Sequence, residues 1–319
     1  MLILKRKYLP RGLLDKNPKL HENSGMDTVT TDIKFTAAER ARVLLEALPY
    51  MQAYWHKVVV IKIGGRALFD DVAALQRFLL DVVFMEQVGI WPVLVHGGGH
   101  AISARLTERG VEPQFIDGLR VTDEATLDVV QRVLIDEISA RIVSVMEQVK
   151  GKGIRLNGRG SRFLMARKKP HDPDLGFVGD ITHVDRGLCE RLLDGGVIPV
   201  VAPIACDENG QLYNVNADTA ACAIARQLHA EKLVFLSDVP GILKDPGDES
   251  SLISTVREQQ AREMIQAGEI NRGMIPKLAA CLDALDGHVH KTHIVSGVIP
   301  HALLLEMFTD EGIGTQIVP

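Results

Sequence analysis

Five short motifs carry residue types that handle negatively charged groups. Lys62-Ile63-Gly64-Gly65 ends a β-branched run with a lysine and follows it with two glycines. Glycines let backbone N–H groups approach a ligand, and the ammonium adds a point positive charge beside them; the same pair also suits a plain tight turn. His96-Gly97-Gly98-Gly99-His100 follows the next apolar run and leads into a helix pattern. The first N–H groups of a helix lack internal partners and carry the positive end of its dipole. Three successive glycines cost chain entropy and favour no regular structure, so an anion site lined by backbone is expected there. Two such turns on two strands imply two anionic groups held close together, with N–H donors placed to stabilise a phosphoryl group in transfer. Neither the GxxxxGK[ST] order nor a GxGxxG fingerprint is present.

The other three motifs extend the set. Gly118-Leu119-Arg120-Val121-Thr122-Asp123 puts an arginine in a turn before a helix capped by Thr122 or Asp123, a place suited to bidentate capture of a carboxylate or to a surface salt bridge. Tyr213-Asn214-Val215-Asn216-Ala217-Asp218 opens another helix, with Asn216 or Asp218 available as its cap. Arg272-Gly273-Met274-Ile275-Pro276-Lys277 begins a third. A lysine near a helix N-terminus opposes the dipole and is unfavourable there unless an anion is bound.

The elements that must position these residues alternate in a regular way. Beyond Trp55, continuous β-branched runs alternate with longer helical patterns, as buried parallel strands and their crossover helices do. Strands are expected at 58–63, 91–95, 197–202, 233–236 and 292–295, with helices up to about Val88, from Gly99, and over 123–150. The irregular stretch 151–185 reads as a β-hairpin or lid. An open α/β sheet binds ligands beyond the carboxyl ends of its strands, where the Lys62–Gly65 and His96–His100 motifs fall. Ahead of the first strand, Thr36 and Glu39 form a capping box, and Val43, Leu44, Ala47 and Leu48 repeat at helical spacing up to Pro49, which is expected to kink or end the helix. Its apolar side must pack either on its own domain or on another subunit.

Composition narrows the function classes. The 319 residues are 46% hydrophobic and 24% charged, with a formal net charge of −5, which argues against nucleic acid or an anionic membrane as the main partner. No apolar run approaches the ~18 residues of a membrane span. Cys189, Cys206, Cys222 and Cys281 show no CxxC spacing, which fits a reducing cytoplasm and suggests neither a zinc site nor a disulfide framework. Residues 1–25 hold six basic and two acidic residues and read as a disordered tail; a start at Met26 would move the net charge from −5 to −9.

Taken in order, KIGG, HGGG, GLRVTD, YNVNADTAA, LSDVPGIL, GMIPK and FTDEGIGTQI resemble the acetylglutamate kinases of the amino-acid kinase superfamily, from about Thr36 to Pro319. The resemblance implies an open αβα sandwich with a mainly parallel sheet: a helical extension over 26–56 and a kinase domain over 57–319. The acetylglutamate site would lie within about 57–200 and the nucleotide site within about 201–319. It implies transfer of the γ-phosphoryl of ATP to the γ-carboxylate of N-acetyl-L-glutamate, with Mg2+ carried by the ATP rather than by a protein metal site. Lys62 and Lys277 would neutralise the phosphoryl group, Gly64, Gly65 and Gly98 would donate backbone N–H groups, and Asp218 would organise the two lysines. Arg120 and Asn214 would hold the α-carboxylate side of the substrate, with Gly97 and Gly98 at its reacting end. Ser237, Asp238, Gly241 and Leu243 would lie beside the nucleotide. The acceptor is already an ionised carboxylate, so no general base is required.

The leading helix resembles the extension of the arginine-inhibited, hexameric branch, built as a trimer of dimers, and Tyr50, His293, Glu311 and Gly314 match its effector positions. Some relatives bind the PII signalling protein. Arg272 stands where many relatives carry a second glycine, and 157–169 is unusually basic, as a lid or a solvated hairpin. The rival readings are a kinase for aspartate or an aminoadipate carrier and a non-catalytic arginine sensor. The second is opposed by retention of Lys62, Asp218 and Lys277, and by an expected lack of room for a further domain after Thr315.

Overall fold

In a computed structural model of the chain, which describes residues 36–319 apart from 66, 246, 271–272 and 310–311 and only the backbone of 67 and 68, the β-branched runs form strands. The tail 1–25, Arg272 and Glu311 therefore lie outside the described residues. The elements run in order α1 (Ala37–Ala53), β1 (Val58–Ile63), α2 (Ala67–Asp70), α3 (Val72–Gln87), β2 (Trp91–His96), α4 (Gly99–Glu108), β3 (Phe115–Ile116), β4 (Leu119–Arg120) and α5 (Glu124–Gln131). A π-helical stretch, Arg132–Ser139, joins α5 to α6 (Ala140–Gln148). Then come β5 (Gly153–Leu156), β6 (Leu164–Lys168), β7 (Gly179–Val184), α7 (Arg186–Asp194), β8 (Ile198–Val201), β9 (Ile204–Cys206), β10 (Leu212–Asn214) and α8 (Ala217–Gln227). The chain closes with β11 (Lys232–Ser237), β12 (Thr255–Arg257), α9 (Glu258–Ala267), α10 (Ile275–Asp286), β13 (Lys291–Ser296), α11 (Ala302–Phe308) and β14 (Thr315–Val318).

Eight strands form one sheet in the order β12-β14-β13-β11-β1-β2-β8-β5. All its pairings are parallel except β13 with β14. The chain moves outward from β1 on one side and later from β11 on the other, so the strand order reverses at the β1–β11 pair. The crevice beyond the carboxyl ends of these strands is the place such a sheet offers a ligand. A four-stranded sheet, β10-β9-β6-β7, and the two-stranded β3–β4 hairpin stand beside it.

Side chains alternate across the sheet and divide the core in two. Val58 and Val60 of β1 join the cluster holding Ala221 of α8 and Leu278 of α10, while Val59, Ile61 and Ile63 join the one holding Leu79 of α3 and Ile142 of α6. This period-2 alternation decides which helix each functional side chain meets.

Several expectations need correction. Pro49 does not end α1, which continues to Ala53. Proline removes one intrahelical bond, but α1 has no buried residue, so the carbonyl it frees is open to hydration. Residues 151–185 are more than a lid, because β5 within them is an edge strand of the main sheet, beside β8. The helix over 123–150 is continuous but changes to π geometry through its middle. The short strands β12 and β14 were not expected. Contact density divides the chain into units Met1–Val43 and Leu44–Pro319; in the first, Thr36 Oγ1 accepts from the Glu39 N–H at 3.2 Å and Glu39 Oε2 accepts from the Thr36 N–H at 2.8 Å. Val43 and, in the second unit, Leu44, Leu45 and Leu48 are exposed.

Candidate active site

Lys62 is the fifth residue of β1 and so points to the face of Val58 and Val60, where α8 packs. There its Nζ lies 2.7 Å from Asp218 Oδ1, with side-chain exposures of 9% and 15%. Asp218 is free for this because Asn216 is the cap of α8, its Oδ1 accepting from the N–H groups of Asp218 and Thr219 at 2.9 and 3.1 Å. Similarly Asp123, rather than Thr122, caps α5.

The glycines are close-approach positions. A Cβ on Gly64 would stand 2.5 Å from Lys62 Nζ, and on Gly65, whose φ is +90°, it would stand 2.0 Å from Asp238 Oδ1. Gly98 has an extended φ of −176° that any residue adopts. Its constraint is steric: a Cβ would lie 2.6 Å from Leu134 and 2.7 Å from Ile138, both on the π-helical stretch.

Three adjoining cavities meet at these residues. The first, about 260 Å3, is lined by Arg120, Asn214, Phe115, Lys62 and Asp218. The second, about 450 Å3, shares Lys62 and Gly97–Gly99 with the first and adds Gly64, Gly65 and Asp238. The third, about 310 Å3, shares Asp238 with the second and adds Ser237, Gly241, Leu243 and Lys277. Lys277 is the third residue of α10. It makes no ion pair within 4 Å among the described residues, so Asp218 pairs with Lys62 alone while Lys277 stands over the neighbouring cavity.

Arg120 in the first cavity is 7% exposed. Its Nη2 donates to Gly99 O and Ser103 Oγ, both at 2.9 Å, and its guanidinium stacks 4.6 Å from the Phe115 ring centroid. Its Nη1 is buried without a partner, a donor whose desolvation is uncompensated until an acceptor arrives. Thr122 links the two substrate-side residues: its hydroxyl donates to Arg120 O at 2.9 Å and accepts from Asn214 Nδ2 at 3.2 Å.

A second cluster lies on the far part of the sheet. His293 Nδ1 is 2.5 Å from Glu306 Oε1, and the Ile313 N–H donates to Glu306 Oε2 at 3.1 Å. Burial favours the neutral acid, but the bonds from His293 and Ile313 hold the Glu306 carboxyl below its ordinary range. Burial pushes Lys232 down to about 8; its Nζ sits 4.9 Å from the Tyr54 ring centroid. His293 Nε2 is buried without a partner. A Cβ on Gly314 would meet Ile294 O, so that glycine serves the close approach of β14 to β13. Tyr50 lies on α1, one turn from Tyr54. Of the four expected effector positions, Glu311 is outside the described residues, and the carboxylate beside His293 is that of Glu306. Sequence reasoning missed Glu306 and Lys232, although Glu306 is a lone charge within the apolar run Leu303–Met307 and Lys232 borders the apolar run Leu233–Leu236.

Residues 57–296 match the Amino acid kinase family. The chain is 46% identical over 292 residues to an acetylglutamate kinase from Heliobacterium modesticaldum, covering 88% of this chain and 99% of that one. It is 47% identical over 283 residues to one from Acaryochloris marina, covering 89% and 99%. Among solved structures, N-acetylglutamate synthase from Neisseria gonorrhoeae, complexed with coenzyme A and N-acetyl-glutamate, aligns at a TM-score of 0.78 and 29% identity over 88% of this chain, which spans 63% of that synthase. Carbamate kinase from Giardia lamblia bound to AMP-PNP aligns at 0.60 and 17% identity, covering 82% and 98%, a likeness of fold.

Proposed function

We propose a division of labour among the three cavities, starting from the premise that this chain belongs to the acetylglutamate kinases of the amino acid kinase family. Its reaction is the ATP-dependent phosphorylation of N-acetyl-L-glutamate, a step of arginine biosynthesis. The cavity of Arg120 and Asn214 takes acetylglutamate, that of Ser237, Gly241 and Lys277 takes the nucleotide, and the phosphoryl group passes through the glycine-lined space between them. The observation that carries this reading is the unpartnered Arg120 Nη1 in a cavity that shares Lys62 and Gly97–Gly99 with the next. A guanidinium with a free N–H suits the α-carboxylate, which leaves the γ-carboxylate directed toward Lys62.

Two anions must be brought together, and their repulsion is the barrier that positioning and charge neutralisation lower. Lys62 neutralises the meeting point while Asp218 fixes its ammonium. Lys277, over the nucleotide cavity, meets the opposite side of the phosphoryl group. We assign Mg2+ to the nucleotide phosphates, whose charge it would share with Lys62 and Lys277. When bound, it supplies further charge neutralisation at the phosphate oxygens.

Two finer readings belong to the same proposal. L-Arginine is a feedback inhibitor bound near His293 and Glu306, where a buried carboxylate and an unpartnered ring nitrogen suit a guanidinium-bearing amino acid. The exposed Leu44, Leu45 and Leu48 suit pairing with a second copy in a hexamer; deleting residues 1–50 would then reduce the particle mass in light scattering. No described helix is long and apolar enough to cross a membrane, in keeping with a cytoplasmic enzyme.

An acyl phosphate reacts with hydroxylamine to give a hydroxamate. With ATP and Mg2+, hydroxamate should form from N-acetyl-L-glutamate and not from aspartate or aminoadipate. Equal yields from all three would remove the assignment of Arg120 and Asn214 to this substrate.

A further inference from the structure

His96 is the last residue of β2 and fully buried, yet none of the roles described so far uses it. By the alternation of β2 it faces the same side as Leu94, toward the π-helical stretch. Its Nδ1 is 3.1 Å from Gly97 O and its Nε2 is 2.6 Å from Ser139 Oγ. Burial pushes the imidazole down to about 4, so it is neutral at working pH. A carbonyl can only accept, so the single ring proton sits on Nδ1; Nε2 is then an acceptor, and the Ser139 hydroxyl donates to it.

This arrangement has a consequence one peptide further on. In a trans peptide the carbonyl of Gly97 and the N–H of Gly98 point in opposite directions. Holding Gly97 O on His96 therefore fixes the direction of the Gly98 N–H. That N–H has no acceptor among the described residues, and Gly98 lines both the acetylglutamate cavity and the glycine-lined space. The same helix holds the loop from its other side, because Leu134 and Ile138 occupy the space a Cβ on Gly98 would need. Gly98 is thus fixed by packing at its Cα and by a hydrogen bond at its preceding carbonyl, with both constraints supplied or oriented by Arg132–Ser139.

We propose that His96, held in one tautomer by Ser139, is a positioning residue that aims the Gly98 N–H at the transferring phosphoryl group. A preorganised donor of this kind acts on the transition state more than on substrate binding. The proposal rests on the placement of phosphoryl transfer at the glycine turns, given above.

The two ring nitrogens can be tested separately. An asparagine amide reaches about where Nδ1 does and can still donate to Gly97 O; a glutamine amide reaches about where Nε2 does and keeps only the Ser139 side. Kinetics of the full-length enzyme, with acetylglutamate binding followed by calorimetry, should show His96→Gln lowering kcat about 10- to 100-fold, part of the roughly 10²–10³ that loss of an oxyanion donor costs. The acetylglutamate dissociation constant should stay within about threefold, and His96→Asn should restore most of kcat. Ser139→Ala, which leaves the ring in place, should lower kcat severalfold. If His96→Gln does not fold, Ser139→Ala decides. Equal kcat in the His96→Asn and His96→Gln enzymes, or wild-type kcat in Ser139→Ala, would overturn the proposal. An unaltered chain that does not phosphorylate acetylglutamate would overturn the functional reading instead.

Discussion

Lys62 Nζ and Asp218 Oδ1 are 2.7 Å apart, joining the end of β1 to the first turn of α8 where two of the three cavities meet. Both side chains are largely shielded from water, so removing either one leaves the other's charge uncompensated. Asp218→Asn keeps the shape and removes the counter-charge, which frees the ammonium to move away from the meeting point of the cavities. We expect kcat to fall about 10- to 100-fold with the acetylglutamate KM little changed, as measured by steady-state ADP release.

Arg120 presents its unpartnered Nη1 in the acetylglutamate cavity. Arg120→Ala removes that donor and the stack on Phe115. The KM for acetylglutamate should rise about 10- to 100-fold, as expected for a charged hydrogen bond worth about 1.5–3 kcal/mol, while the KM for ATP stays near its original value. Initial rates with each substrate varied in turn check this. Arg120→Lys should recover little, because a lysine lacks the planar fork that serves Gly99, Ser103 and a ligand together.

Asp81 of α3 is buried, with its Oδ1 2.6 Å from His301 Nδ1. Burial pushes its carboxyl from the ordinary 3.8 up to about 6, and the bond from His301 offsets only part of that. Between those values the folded chain holds a proton that the unfolded chain has released. The stability this group contributes is therefore complete below pH about 4 and is lost as pH rises through about 6. Asp81→Asn has no such dependence. Its melting temperature should gain on that of the unaltered protein as pH rises from 4 to 7, by the equivalent of at most about 3 kcal/mol at 1.36 kcal/mol per pKa unit, in parallel thermal melts.

Much of this geometry was legible in the sequence, for identifiable reasons. The strands β1, β2 and β11 are mostly apolar runs because both faces of a parallel sheet are buried, and their residues, like those of β13, were placed to within one or two positions. The glycine motifs were legible because a residue without a side chain has few reasons to occur three times in succession. The parity of Lys62 along β1 already selects its face, although the identity of its partner needs the packing of α8. Two short strands at one end of the sheet were not legible: β12 and β14 are three and four residues long, too short to establish a period. The π geometry of Arg132–Ser139 leaves no mark in a pattern that reads as helix throughout. Glu306 was not legible, because a single carboxylate inside the apolar pattern Leu303–Met307 gives no sign that His293 of another element lies against it.

The central claim is that the phosphoryl group is transferred beside Lys62, and it is tested by comparing the unaltered enzyme with Lys62→Met. Single-turnover formation of the acyl phosphate, trapped as hydroxamate, would be measured alongside calorimetric binding of N-acetyl-L-glutamate. The account predicts a turnover rate lower by about 10²–10³ with the substrate dissociation constant within about threefold of the original. An unchanged turnover rate in a folded Lys62→Met enzyme would contradict it.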